Sequence, residues 1–311
     1  MFRTVTATRE KEIEAVMAGR WTMDGAGVRL KRVFGSPSTV YQTDPFLLLD
    51  NFGSDRPEDY EAGFPWHPHR GIETVTYLLD GKVKHEDSTG NSGYIYPGYA
   101  QWMTAGSGIF HQEMPQGIRA DDPEEILRST GFPDRVSGLQ LWINIPASEK
   151  MKNPVYRDIR KNEIPAVKDQ YGNTVKVIAG TFEDATGEHQ FSKTVAPLYL
   201  DITMGKDSLL ELKEAPGRRA MAFVIDGSIQ SGTPEVQLNS GSLGVFSDAG
   251  GSIGLKSGSG GARLVLFSGK KLSESVAWHG PIVMNTQEQI VEAIQDLRNG
   301  TFVRNREPLF L

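Results

Sequence analysis

The chain contains no cysteine, which removes disulfides, thiolate metal sites and cysteine nucleophiles, so any metal must be held by nitrogen and oxygen donors. It has no run of lysine and arginine that would form a phosphate-binding footprint, and its 33 basic residues are outnumbered by 39 acidic ones. Direct nucleic-acid binding is not expected on that ground. No stretch reaches the roughly 20 apolar residues of a transmembrane helix. Met1 to Arg20 carries Arg3, Arg9, Glu10, Lys11, Glu12 and Glu14 and lacks the apolar centre of a signal peptide. These absences lead us to expect a cytoplasmic protein with no membrane partner.

What is present is length, glycine and alternating strands. With 311 residues, the chain is longer than a single core usually grows, so two domains are expected. The 34 glycines suit many short strands closed by turns, and strand signals dominate. Thr74 to Leu79 is a near-continuous apolar, β-branched run ending at Asp80-Gly81, which predicts a hairpin returning from Val83. Leu139, Leu141, Ile143 and Ile145 alternate with Gln140, Trp142 and Asn144 and stop at Pro146, the pattern of a half-buried strand. Residues 115 to 138 read as a long polar surface loop and a candidate lid. The boundary between the halves is expected near residue 148, giving domains 1–148 and 149–311. TVTYLLDGKV at 74 to 83 matches AMAFVIDGSI at 220 to 229 in its apolar positions and Asp-Gly pair. At that offset Lys213, Ala215 and Arg219 replace His67, His69 and Glu73, so only the first half is expected to carry a site. A helix is predicted over 286–299, where Thr286 and Gln289 form a capping box and Asn299-Gly300 ends the apolar stripe of Ile290, Ile294 and Leu297.

The chemistry concentrates in two short motifs. His67-Pro68-His69 places two imidazoles at i and i+2, which in an extended strand share one face about 7 Å apart. Pro68 favours the extended form because it disfavours helix at His67 and offers no N–H. His111-Gln112-Glu113 repeats the spacing. On adjacent strands the two motifs would present three imidazoles and a carboxylate to one ion. Fe(II), Mn(II), Co(II), Ni(II), Cu(II) and Zn(II) all suit such a donor set, and positions left open would admit water, dioxygen or a chelating substrate. Glu73, four residues after His69, is expected on the same face, as a substitute ligand, a general base or a carboxylate bonded to a ligand histidine. His85, beside Glu86 and Asp87, reads as a solvated strand end.

FPWHPHRGIETVTYLLDG from Phe64, YPGYAQWMTAGSGIFHQEMP from Tyr96 and AWHGPIVMNTQEQI from Ala277 resemble the pirin family of the cupin superfamily, densely over residues 64 to 115 and sparsely beyond. The resemblance implies an all-β bicupin, two stacked antiparallel β-barrels with a C-terminal helix. It further implies one metal per chain, favouring Fe(II), in the first barrel, on His67, His69, His111 and Glu113. Phe64, Trp66, Gln101, Met103 and Trp142 become candidate cavity residues, and Trp278 and His279 candidate packing between the halves. Two activities follow from the resemblance. One is a quercetin 2,3-dioxygenase-like reaction of a flavonol-like aromatic substrate with O2, in which Glu73 or Glu113 assists deprotonation. The other is an iron-dependent regulator that binds protein partners. A small-molecule binding protein with a structural metal is the third expectation.

Overall fold

The computed structural model describes residues 9–123, 126, 133–187 and 193–304. Antiparallel strands make up both of its compact units, one formed by residues 19–163 and 272–311, the other by 1–18 and 164–271. The units therefore do not follow one cut near residue 148. The Ile13–Ala18 strand pairs with Ser242–Phe246, and the C-terminal helix buries Ile290 and Ala293 with Ala277, Ile282 and Met284 of its own unit. Strand edges and apolar stripes are satisfied by whichever surface completes them, independently of order along the chain.

The first of these units contains two facing sheets. Seven strands run in the order Val155–Ile159, Ala100–Thr104, Ile72–Asp80, Val136–Asn144, Phe46–Ser54, Val28–Phe34 and Arg20–Asp24. Four more run in the order Phe64–His69, Ile109–Gln116, Lys82–Asp87 and Ser92–Ile95. Val83 and Ile95 of the smaller sheet pack with Leu30, Phe52, Leu78 and Val136 of the larger. Asp80-Gly81 does not make the expected hairpin: Ile72–Asp80 pairs within the larger sheet and Lys82–Asp87 within the smaller. Gly81, at φ +76°, turns the chain from one sheet to the other in a space where a Cβ would lie 2.8 Å from the Arg135 carbonyl oxygen.

In the second unit a nine-stranded sheet encloses its own core, including Val177, Leu200, Leu212, Val224 and Leu266. The matching Asp226-Gly227 lies inside one strand, Arg218–Ser231, where the register shifts. Here too the glycine is in the left-handed region, at φ +72°, and bends a strand rather than closing a hairpin.

The C-terminal helix spans Gln287–Asn299. Thr286 accepts from the Gln289 backbone N–H, the Gln289 side chain accepts from that of Thr286, and Gly300 caps the end at φ 71°. The apolar tail Leu309 to Leu311 lies outside the described residues. So do positions 124–125 and 127–132 of the candidate lid. Its described flanks are anchored by the buried Lys82–Asp122 pair at 2.8 Å and by Tyr60 donating to the Asp134 carbonyl.

Candidate metal centre

The strands Phe64–His69 and Ile109–Gln116 are direct antiparallel neighbours, with His111 opposite His67 and Ile109 opposite His69. Cross-strand partners share a face. Consequently His67, His69 and His111 bring one ring nitrogen each to within 4.8 Å of the others. His67 Nδ1 lies 2.8 Å from the Pro65 carbonyl oxygen and His69 Nδ1 3.1 Å from that of Pro281. A carbonyl only accepts, so both Nδ1 atoms carry a proton, which in a neutral ring leaves Nε2 as the lone pair that a metal takes. Those two Nε2 atoms are 3.1 Å apart. His111 Nε2 is buried without a hydrogen-bond partner. Burial first, then the neighbouring imidazoles, holds His69 and His111 well below the ordinary histidine value. Such a cluster of imidazole nitrogens fits a divalent transition ion, which would satisfy the orphaned nitrogen. Among the described residues no other group of three histidine or carboxylate side chains meets this way.

Glu113 does not join the three nitrogens in this arrangement. The register slips between His111 and Glu113, which stands opposite Phe64. The strand through Pro65 and Trp66 holds one more residue than its partner there, while Glu113 keeps the inward face it shares with His111 and turns its carboxylate to the larger sheet. It is buried there, accepting from Thr76 Oγ1 at 3.0 Å and Gln140 Nε2 at 2.9 Å. Those two belong to a row of register partners across the larger sheet: Arg32, Asp50, Gln140, Thr76, Gln101 and Asp158. Arg32 grips Asp50 through two hydrogen bonds, at 2.9 and 2.7 Å.

Two expectations are corrected by the geometry. Glu73 does not share the histidine face. Gly71, at φ +80°, separates the His69 strand from the next one, so the i, i+4 count across it does not hold. Glu73 is fully buried and accepts from Trp102 Nε1 and Thr104 Oγ1, each at 3.0 Å, with Lys152 Nζ 3.7 Å away. Thr76 points from the opposite face of the same strand to Glu113. Burial raises the Glu73 carboxyl above its ordinary value, against the pull of Lys152. His85, expected in solvent, is 1% exposed. It stands opposite Glu113 and contacts the Tyr156 hydroxyl, which also meets Gln101 and Asp158.

A cavity of about 730 Å³ opens on His67 and His69 and is lined by Phe64, Trp66, Trp142 and Trp278 among others. Gln101 and Met103, both buried, are not among its lining residues. Trp278, expected in packing, lines the cavity, its ring centroid 6.3 Å from that of Trp142. His279 is exposed. The sequence reading missed Arg32, Asp50, Gln140, Thr76 and Pro281 as parts of the site's surroundings. For Gln140 and Trp142 the signal existed, since the polar face of that alternating strand is turned to the cavity and not to bulk water.

Residues 27–143 match the pirin family and residues 199–303 the pirin C-terminal cupin domain. A pirin-like protein of Caulobacter vibrioides is 39% identical over 92% of this chain and 97% of its own. The crystal structure of quercetin 2,3-dioxygenase from Acinetobacter baumannii superposes with a TM-score of 0.83 at 29% identity, covering 94% of this chain and 99% of that one. The bacterial pirin YhhW of Escherichia coli, in complex with nickel(II), shares the fold at a TM-score of 0.60 and 19% identity, over 82% of this chain and 97% of its own. On the two matches and the extent of the relatives, the chain belongs to the pirin family.

Proposed function

We propose that this chain is a metal-dependent dioxygenase that opens a flavonol such as quercetin with O2. One observation carries the reading: three imidazole nitrogens meet beside a cavity of about 730 Å³ whose walls include Phe64, Trp66, Trp142 and Trp278. That volume is within the range of small-molecule sites, and flat aromatic walls suit a planar ring system. The fold shared with the quercetin 2,3-dioxygenase of A. baumannii supports the same substrate class.

In this reading His67, His69 and His111 hold one divalent ion, and Glu113, which the resemblance offered as a fourth ligand, is held by Thr76 and Gln140 apart from the three nitrogens and acts as the base. Fe(II) is our first choice, and Mn, Co, Ni, Cu or Zn are compatible with the donors. When bound, the ion supplies a Lewis acid and a redox-active centre for the reaction with O2. The protein's part is binding, orientation and proton transfer. The aromatic walls hold the substrate and exclude water. Glu113 takes the proton of a substrate hydroxyl, and the hydrogen bonds from Thr76 and Gln140 fix the direction of its carboxylate. Glu73 has no role at the reacting atoms.

The test is oxygen uptake together with loss of flavonol absorbance, on protein loaded anaerobically with each of Fe(II), Mn(II), Co(II), Ni(II) and Cu(II). The expected result is equal consumption of quercetin and O2 with at least one metal. Silence with all five would discard the flavonol reading and favour the regulatory one.

A further inference from the structure

The turn that follows His69 is tied to the C-terminal segment by more bonds than a surface connection needs. Arg70 is 1% exposed. Its Nε donates to the Ser107 carbonyl at 2.7 Å, Nη1 to Asp296 at 2.8 Å and Nη2 to the Phe302 carbonyl at 2.9 Å. The guanidinium lies 4.3 Å from the centre of the Phe302 ring. Ser107 is in the turn leading into the His111 strand, so one side chain touches the approaches to both ligand strands. The main chain repeats the link, since Val283 N–H donates to the Arg70 carbonyl at 3.1 Å and the Pro281 carbonyl fixes His69 Nδ1. Lys150, equally buried, joins the Gly71 and Val283 carbonyls at 2.7 and 3.0 Å. Neither cation has a part in the proposed reaction. A buried guanidinium with every group engaged is costly to leave unpaired, and metal sites demand ligand placement within about 0.5 Å.

We propose that Arg70 is a positioning residue that couples metal affinity to the docking of the C-terminal segment, residues 281–302. The coupling rests on the reading of His67, His69 and His111 as ligands. Docking of the helix and Phe302 sets the turn that aims His69 and, through Ser107, the strand that carries His111. By linkage, metal held by those histidines strengthens docking by the same factor.

The test measures the Ni(II) dissociation constant by chelator competition, and amide hydrogen exchange over 287–303 with and without Ni(II). The chains compared are the wild type, Asp296→Asn, Phe302→Leu and Ile290→Val, the last lowering helix packing without touching Arg70. Asp296→Asn is expected to weaken Ni(II) binding about tenfold, the lower end of what partners behind metal ligands contribute. Phe302→Leu should act less strongly in the same direction, and Ile290→Val should lower Tm with unchanged affinity. Ni(II) should slow exchange in the wild-type helix. Unchanged affinity in Asp296→Asn and Phe302→Leu, or loss that follows Tm across all three variants, overturns the proposal. If Asp296→Asn fails to fold, Phe302→Leu and the wild-type exchange decide, and an exchange rate indifferent to Ni(II) overturns it. A wild type that takes up no Ni(II) removes the ligand reading and the coupling together, whereas the other negative results leave the ligand reading standing.

Discussion

The strand Ile72–Asp80 carries buried polar groups on both faces, and they serve different ends. On one face Thr76, with Gln140 of the neighbouring strand, reaches Glu113 on the strand that carries His111. On the other, Glu73 is closed in by Trp102, Thr104 and Lys152. Both carboxylates are buried and both accept two hydrogen bonds. Burial and hydrogen bonding therefore do not mark a functional carboxylate in this fold; the face does. Glu113 belongs to the strand that presents His111, while Glu73 ties two strands of the larger sheet and has no contact with the histidines.

The contrast is most strongly tested at the histidines. His69→Ala is expected to lower metal affinity by more than the roughly 10–100-fold attributed to groups behind the ligands, read as metal content after dialysis. Glu73→Gln should leave the content unchanged. Equal losses in both would abolish the distinction between the faces. Next comes the proton-transfer role. Glu113→Gln is expected to lower kcat for the flavonol by about 10²–10⁴, the usual contribution of a positioned base, against less than about twofold for Glu73→Gln. A smaller effect is expected from Thr76→Val, which removes one donor to a charged acceptor worth about 1.5–3 kcal/mol. This should appear as a fall in kcat of about 10- to 150-fold with KM little changed, and a rise in KM alone would assign Thr76 to substrate binding.

The histidine pairs were legible because strand periodicity is two and both motifs lie on uninterrupted strands. The same rule failed for Glu73, since the count from His69 crosses Gly71 at a left-handed φ. For Glu113 it gave the face but not the partner: the side chain lies inward with His111, yet Thr76 and Gln140 of the larger sheet hold its carboxylate away from the three nitrogens. Asp80-Gly81 carried a hairpin signature, yet the chain there changes sheets, because the Asp-Gly pair specifies the local bend and tertiary pairing decides what the bend connects. Arg32 and Asp50 could not be linked to the site from sequence. Both line the cavity, and what brings them there is register between strands far apart in the chain.

The smallest effect expected is in stability, and it too separates the faces. Burial raises the Glu73 carboxyl in the folded chain above its ordinary value of 4.5. The folded state therefore binds this proton more tightly than the unfolded state. Its contribution is fully present below the unfolded value and is lost as pH rises through the folded one. Glu73→Gln removes the titration while keeping an acceptor for Trp102 or Thr104. Relative to the variant, the wild type should lose stability as pH is raised above that ordinary value, by at most about 1.4 kcal/mol per pH step of one, measured by urea unfolding of the metal-free protein. If the difference between wild type and variant stays constant with pH, or grows in the wild type's favour, Glu73 is ionised in the fold and Lys152 outweighs burial. Glu73 and Lys152 would then form a buried ion pair, and the two faces of the strand would differ in geometry alone.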